Sequence, residues 1–381
     1  MPSVQLLPEL NVVSGYPGTP STEVLETIAK HRPDDVYVEW SVNEKAAMEL
    51  AAGASYAGAR SMVTMKQVGL NVASDPLMSL EYVGIKGGMV ILVADDPGPI
   101  SSQTEQDTRH FSRFSKLPCF DPSSAQEAYE MIQEAFEYSE KYDTPVFLRP
   151  TTRVCHGYAS IMVKDETEYT HHQPEGFIKD SKRWVIFPRL SFMNHKKIEA
   201  RNQELSDIFS SYEKNTIHPS CDAFKDSKKG IATGGISYTY TMETLKKTGM
   251  VKTLKIATPH PFPEKLAVDF LSGLDEVLCL EELDPVIERE LIYICGKYHL
   301  PTRINGKLSG HTACAGENTR NTITTYINIH SLVLPPLSPI TEYNQLRTSQ
   351  GILIFGSFRC FQNDLTHQLN SIHIDTCTCR S

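Results

Sequence analysis

Hydrophobic residues recur along the first 150 residues in short runs that alternate with stretches of helical spacing. Residues 89–93, Met-Val-Ile-Leu-Val, form a continuous apolar run, which is typical of a central strand in a parallel sheet. Residues 125–138 instead place their apolar side chains on one face of a helix. Strands that alternate with helices in this way predict a parallel sheet covered by helices on both faces.

The same pattern predicts the other elements of this first unit. Strands are expected at residues 10–13, 36–40, 62–65 and 145–149, and helices at residues 23–30 and 45–58. Thr19 is a good N-cap and Pro20 suits the first helical position, so the first helix is expected to begin there. The polar stretch from residue 100 to 114 is predicted as a long loop, and long loops at strand ends often carry function.

A second alternating series follows an irregular stretch. From residue 164 to about 227 the pattern is lost, apart from one helix expected at residues 198–212. Strands are then expected at residues 230–235, 253–257, 276–280 and 302–304, with helices at 238–247, 263–271 and 284–298. Residues 319–381 are rich in Thr, Asn, Ser and Cys without regular alternation, so low order is predicted there.

The predicted fold is therefore α/β, with two doubly wound parallel-sheet domains and an irregular C-terminal tail. Four parts follow from the pattern. They are a first domain at residues 1–160, a connector at 161–227, a smaller α/β domain at 228–308, and an irregular or disordered tail at 309–381.

Composition narrows the class of protein. The 46 acidic and 37 basic residues give a net charge of −9, which argues against nucleic acid or an anionic membrane as the main partner. No apolar run could span a bilayer and no secretion signal opens the chain, so a cytoplasmic protein is expected. The nine cysteines show neither iron–sulfur nor disulfide-framework spacing, so no metal site is predicted and they are expected to act as small hydrophobic residues.

Two stretches carry candidate chemistry. Gly15-Tyr16-Pro17-Gly18-Thr19 lies between a predicted strand and helix, where backbone N–H groups favour an anion and glycines allow close approach of a ligand. A plain strand-to-helix turn is the alternative from spacing alone. Glu44 precedes the next helix, and Ser41-x-x-Glu44 also matches a capping box in which Glu44 would only bond back to Ser41.

Three motifs together resemble a known family. They are residues 15–22, Val42-Asn43-Glu44-Lys45-Ala46-Ala47, and Thr64-Met65-Lys66-Gln67-Val68-Gly69-Leu70-Asn71. Over residues 13–308 the chain resembles the alpha subunits of indolepyruvate:ferredoxin oxidoreductases, which are 2-oxoacid:ferredoxin oxidoreductases dependent on thiamine pyrophosphate (thiamine diphosphate). The resemblance extends through Glu281-Glu282-Leu283-Asp284-Pro285. It implies a pyrimidine-binding domain of a thiamine enzyme, followed by a smaller transketolase C-terminal-like domain.

The resemblance also implies roles for single residues. Glu44 matches the catalytic glutamate, whose carboxylic acid bonds a pyrimidine ring nitrogen and favours the imino tautomer that activates the cofactor. Thr19 would lie near the substrate carboxylate. Lys66 and Gln67 would lie at the edge of the same site, with a surface charge as the alternative for Lys66. The cofactor-binding loop would be completed by Gly15, Tyr16, Pro17 and Gly18.

By this resemblance, the expected function is part of an oxidoreductase that decarboxylates aryl pyruvates to acyl-CoA with coenzyme A and ferredoxin. In the family, a later domain holds the diphosphate and Mg²⁺, and 4Fe–4S clusters lie beyond it. Neither motif occurs in this sequence. The chain is therefore expected to hold only the pyrimidine half, to need a beta subunit and a diphosphate-binding domain in trans, and to be inactive alone. The alternatives are a non-catalytic truncated fragment and the pyrimidine-binding subunit of a split 2-oxoacid decarboxylase.

Overall fold

Six strands build the first sheet of the computed structural model, which describes residues 10–32, 34–165, 168 and 172–330. In chain order they are β1 (Val12–Gly15), β2 (Tyr37–Trp40), β3 (Ser61–Lys66), β4 (Met89–Ala94), β5 (Cys119–Phe120) and β6 (Val146–Leu148). Across the sheet the order is β2-β1-β3-β4-β6-β5, and these neighbouring strands run parallel. The winding direction reverses between β1 and β3, as in a doubly wound sheet.

Helices cover both faces of this sheet. They are α1 (Thr22–His31), α2 (Glu44–Tyr56), α3 (Gln67–Val83), α4 (Arg109–Phe114), α5 (Ala125–Lys141) and α6 (Thr152–Cys155). Alternation along β4 divides the core, because successive side chains of a strand point to opposite faces. Val90 and Leu92 belong to the core under α1 and α5. Ile91 and Val93 belong to the core under α2 and α3.

A second, mixed sheet of five strands follows a connecting segment. The elements are α7 (Ser181–Trp184), α8 (Pro188–Phe209), β7 (Thr216–His218), β8 (Lys229–Gly234), α9 (Gly235–Thr248), β9 (Lys252–Ile256), α10 (Glu264–Leu271), β10 (Glu276–Leu280), α11 (Val286–Tyr298), β11 (Arg303–Asn305) and α12 (Arg320–Ile329). The strand order is β11-β10-β8-β9-β7, with β7 antiparallel to β9 and the other pairs parallel. The predicted α/β fold with two sheets is confirmed, and an antiparallel edge strand is added to the second sheet.

Helix α3 is absent from the sequence-based prediction. Its sequence contains Gly69 and Pro76, two residue types that disfavour a helix interior. Packing of Leu70, Leu77 and Leu80 against the sheet outweighs that local preference, because most helical stability in proteins comes from burial of an apolar face.

The prediction of an irregular tail from residue 309 is wrong for residues 320–329, which form α12. This helix begins with a capping box at Thr319 and buries Ile323 and Ile327, and Thr324 bonds Thr244 of α9. Its exposed Thr and Asn residues dominate the composition and conceal the apolar face. The rest of the predicted tail, residues 331–381, lies outside the described residues.

Buried ion pairs and backbone bonds join the two sheets. Cys119 N–H donates to the His260 carbonyl at 2.7 Å. Arg109 donates to Asp107 at 2.6 Å and to Glu281 of the second unit at 2.9 Å. We call the buried charged residues at this boundary the junction network; its members are Asp95, Asp107, Arg109, Asp121, Arg149 and Glu281.

Candidate functional site

The predicted site residues meet at the carboxyl ends of β1 and β3. Gly15 ends β1 and pairs in register with Thr64 of β3, while Lys66 ends β3. β1 and β3 flank the point where the winding direction of the sheet reverses. Ligands of open α/β sheets bind outside the strand ends at this point. The topology therefore favours a binding site where the motifs converge.

Residues 15–21, which we call the glycine loop, are held by hydrogen bonds within the loop and to the first residue of α1. Gly18 N–H donates to the Thr22 hydroxyl at 2.8 Å, and the Ser21 hydroxyl donates to the Gly18 carbonyl at 2.7 Å. The prediction that Thr19 caps the helix is wrong, because α1 begins at Thr22 with Ser21 before it. Thr19 is half-buried in the loop and its carbonyl accepts from the Ser101 hydroxyl at 3.3 Å.

Lys66 lies flat against the glycine loop. A Cβ at Gly18 would be 2.9 Å from Lys66 Cγ and 3.0 Å from its Cδ, so the close contact needs a glycine. Lys66 Nζ donates to the Gln103 side-chain oxygen at 3.3 Å, and no carboxylate pairs with it in the described part of the chain. Tyr16 and Pro17 project outward and are exposed.

Glu44 is the first residue of α2 and is buried. The helix is capped by Asn43, whose side chain accepts from Ala46 N–H at 2.9 Å, while the Ser41 hydroxyl bonds Glu39 at 3.0 Å. The capping-box alternative is therefore wrong. Within the described ranges the Glu44 carboxylate has no hydrogen-bond partner.

Gln67 is the first residue of α3 and is fully buried. Its side-chain N–H donates to the Thr104 carbonyl at 3.2 Å. Its side-chain oxygen is also buried and has no partner among the described residues. A buried acceptor that the protein leaves unbonded fits a ligand that supplies the donor.

The loop predicted at residues 100–114 ends earlier in the structure, because residues 109–114 form α4. Residues 100–108 cover the site, and the sequence assigned no individual residue of this loop to it. Ser101 bonds Thr19, Gln103 bonds Lys66 and Thr104 bonds Gln67. Gln106 accepts from Asn71 at 3.0 Å. The one available signal was its length and polarity, which marked the loop as a place for function.

A separate cavity of about 470 Å³ lies between α1 and α5. Its walls are mostly apolar and include Val24, Leu92 and Ile132, with Glu23 and His156 as polar exceptions. It borders the glycine loop only at Pro20. The cavity therefore does not gather the polar residues that the motifs singled out.

The residues that the structure describes hold no group of three or more His, Cys, Asp or Glu side chains arranged for a metal ion. In the same ranges, no helix has the length and apolar character needed to cross a membrane. Cys119 and Cys279 are buried free thiols and Cys314 is an exposed one.

Comparison with known sequences supports the resemblance carried by the motifs. The sequence profile of the family described as pyruvate flavodoxin/ferredoxin oxidoreductase, thiamine diphosphate-binding, matches residues 3–216. The chain is 42% identical over 306 residues to indolepyruvate oxidoreductase subunit IorA of Methanothermobacter thermautotrophicus, and 40% identical over 304 residues to that of Pyrococcus abyssi. These matches cover 79% and 78% of this chain but 48% and 46% of the relatives. The chain thus spans about half the length of the curated relatives it matches.

Two solved structures share the fold. One is a 2-oxoglutarate:ferredoxin oxidoreductase from Magnetococcus marinus with 2-oxoglutarate, coenzyme A and succinyl-CoA bound. It matches with a TM-score of 0.62 and 18% identity over 86% of this chain and 63% of its own. The other is a split-gene transketolase, an inactive beta4 tetramer, with a TM-score of 0.55 and 14% identity over 88% and 96%. At these identities the likeness concerns the fold alone.

Proposed function

Since the chain belongs to the pyruvate flavodoxin/ferredoxin oxidoreductase family and matches its thiamine-diphosphate-binding part, we propose that it holds the aminopyrimidine half of thiamine diphosphate. In this proposal the chain is one part of an oxidoreductase that converts aryl pyruvates, indolepyruvate above all, to acyl-CoA. Identity of about 40% to two indolepyruvate oxidoreductase subunits supports that substrate class.

The Glu44 carboxyl group carries the proposal. Glu44 is a buried residue at the carboxyl edge of the sheet, and its carboxylate has no hydrogen-bond partner in the described ranges. An aminopyrimidine offers both a ring nitrogen that accepts a proton and an amino group that donates one. Glu44 can supply the first contact, and the unbonded Gln67 oxygen can accept from a donor. The residues present therefore fit this half of the cofactor.

Thiamine diphosphate, when bound, supplies a nucleophilic carbon for attack on the 2-oxoacid carbonyl. The protein's part is to control protons and orientation. Glu44 holds a proton toward the ring nitrogen and so favours the tautomer whose amino group can act as a base. Gln67, fixed by its bond to Thr104, orients the ring from the neighbouring helix.

In the proposal, Thr19 lies near the substrate carboxylate, and Lys66 is a cofactor-binding residue at the edge of the same site. Lys66 Nζ bonds only the neutral Gln103 amide in the described part of the chain and lies beside the glycine loop. Gly15, Tyr16, Pro17 and Gly18 form the wall of the loop on that side. The positive end of α1 points toward the same space and favours an anion.

Exposed apolar side chains around this edge support a partner domain there. Tyr16, Trp40, Val42 and Ile100 are each more than a third exposed, and Val42 is 84% exposed. Grouped apolar residues at a surface mark protein contacts. In the proposal, a beta subunit and a diphosphate-binding domain dock at this edge. They bring Mg²⁺ and 4Fe–4S clusters and pass electrons to ferredoxin, while coenzyme A accepts the acyl group.

We also propose residues 1–160 as the pyrimidine-binding domain, 161–227 as the connector and 228–308 as the core of the second domain. The first sheet supports the first boundary, because β6 and the short α6 end by Cys155. The position of β7 shows that the connector contributes a strand to the second sheet. The second domain therefore draws on residues before 228.

The test is reconstitution with the missing half of the enzyme. The chain is coexpressed with the diphosphate-binding half of a relative, and ferredoxin reduction is measured with indolepyruvate, pyruvate or 2-oxoglutarate, with and without thiamine diphosphate. We expect cofactor-dependent turnover that is fastest with indolepyruvate. Calorimetry of the isolated chain with Mg²⁺ and thiamine diphosphate should show no micromolar binding. An assembly that forms but turns over none of the 2-oxoacids would favour a non-catalytic role.

A further inference from the structure

Gly69 lies in the first turn of α3, directly beside the side chain of Glu44. A Cβ built on Gly69 would be 2.5 Å from Glu44 Oε1, 2.7 Å from its Cγ and 2.9 Å from its Cδ. Non-bonded carbon contacts are favourable near 3.5–4.0 Å. All three nearest atoms belong to the Glu44 side chain, so a Cβ at position 69 would displace that side chain.

The backbone does not require glycine at this position. Gly69 lies inside a regular helix and its φ is not in the left-handed region. Glycine is also the least favourable residue in a helix interior after proline. Gly53 of α2 provides the contrast, because a Cβ added there would meet nothing within 4 Å. The absence of a side chain at Gly69 therefore leaves room for the side chain of Glu44.

Within the described part of the chain, no hydrogen bond holds the Glu44 carboxylate. Packing alone therefore determines where this side chain lies. We call the space left by the absent Cβ of Gly69 the seat. It keeps the Glu44 side chain buried at the sheet edge, near the first turn of α3, which begins at Gln67. We propose that Gly69 is a positioning residue, whose absent Cβ forms the seat that fixes the Glu44 carboxyl group for the pyrimidine ring. The role of the seat in cofactor binding rests on the proposed function, whereas the contact between Gly69 and Glu44 is tested without cofactor.

The first experiment is a thermal-unfolding cycle on the full chain. The variants are Gly69→Ala, Glu44→Ala, the double variant, and Gly53→Ala as the matched helix control. Gly53→Ala should raise Tm slightly, because alanine favours a helix. Gly69→Ala should do the same only in the Glu44→Ala background. In the parent background, the Tm change caused by Gly69→Ala should be roughly 2–4 °C less favourable than in the Glu44→Ala background, because the added methyl group contacts Glu44.

Equal effects of Gly69→Ala in both backgrounds would overturn the proposal. If Gly69→Ala fails to fold, recovery of folding in the double variant supports the seat, and failure of both variants refutes it.

The second experiment follows the carboxyl group itself. The chain is labelled with carboxyl-¹³C glutamate, and the Glu44 signal is assigned by its loss in Glu44→Ala. Gly69→Ala should shift this signal, while Gly53→Ala should leave it unchanged. An unshifted signal in Gly69→Ala would show that Glu44 keeps its place without the seat. Since neither experiment uses thiamine diphosphate, failure of the seat and failure of the proposed function are distinguishable.

Discussion

The buried hydrogen-bond acceptors of the junction network differ from the buried acceptor at the carboxyl edge of the first sheet. In the junction network each carboxylate accepts a hydrogen bond from an arginine. Arg149 donates to Asp95 at 2.7 Å and to Asp121 at 3.2 Å. Arg109 donates to Asp107 and to Glu281. At the sheet edge, the buried Gln67 side-chain oxygen has no partner among the described residues. Glu44 is a buried residue at the same edge, and its carboxylate has no hydrogen-bond partner there either.

This difference distinguishes buried groups that stabilise the fold from buried groups that are available to a ligand. Burial alone would raise the pKa of Asp107, but Arg109 and Arg149 outweigh it and hold that pKa below its usual value. The Asp107 carboxylate is therefore held in its ionised form by protein contacts. An unpartnered buried polar group destabilises the free protein unless a ligand completes it. The Gln67 oxygen meets this criterion, and Glu44 lies at the same sheet edge without a hydrogen-bond partner in the described ranges.

Removal of Arg149 should produce the largest loss of stability. Arg149→Met leaves three buried carboxylates short of their cation, and breaking a buried ion pair on one side costs about 3–5 kcal/mol. Urea unfolding measures the free energy of unfolding. The control is Arg153→Met, because Arg153 is half-exposed and its pair with Glu317 should contribute less than about 1 kcal/mol. Similar losses in both variants would contradict the distinction.

Glu282 should make stability depend on pH. Burial raises the pKa of this carboxyl to about 7, so the folded state binds its proton more tightly than the unfolded state. Its contribution to stability is present below pH 4.5 and is lost as the pH rises through 7. Glu282→Gln, which keeps an acceptor for Asn318 N–H, should be more stable than the parent at pH 8 by roughly 1–3 kcal/mol.

Urea unfolding of both proteins from pH 4 to 8 tests this dependence. The advantage of Glu282→Gln should vanish near pH 4. An advantage that is independent of pH would show that the ionised carboxylate is not the cause.

Gln67 should contribute little to stability. Gln67→Met loses the bond to Thr104 but also removes a buried acceptor that has no partner, so the free energy of unfolding should change by less than about 1 kcal/mol. Asn215→Leu is the contrast, because Asn215 is buried with both side-chain atoms bonded, and its loss should cost at least about 2 kcal/mol. A large loss in Gln67→Met would place Gln67 with the structural groups.

The sequence predicted elements wherever the pattern of side chains and the local preferences agreed. The apolar run of β4 and the amphipathic face of α5 are of this kind. The sequence failed for α3, where Gly69 and Pro76 oppose a helix that tertiary packing stabilises. It failed for α12 because polar Thr and Asn residues hid a short apolar face.

The candidate site was identified from its motifs, but its local geometry was not. Thr19 was expected to cap α1, yet Ser21 and Thr22 close the loop instead. Asn43 was not recognised as the cap of α2, and this left the two interpretations of Glu44 open. Contacts between residues far apart in sequence, such as Thr104 with Gln67 and Glu44 with Gly69, have no local signal. The roles of all these site residues remain predictions.

The most direct test of the central claim compares two glutamates of α2 in the reconstituted assembly. Glu44 is buried at the sheet edge and Glu49 is exposed on the same helix. Glu44→Gln keeps size and hydrogen-bonding capacity but cannot transfer a proton, so indolepyruvate-dependent ferredoxin reduction should fall by roughly a hundredfold or more. Its Tm should stay within about 2 °C of the parent, and Glu49→Gln should keep full activity. Turnover of Glu44→Gln at the parental rate would contradict the account.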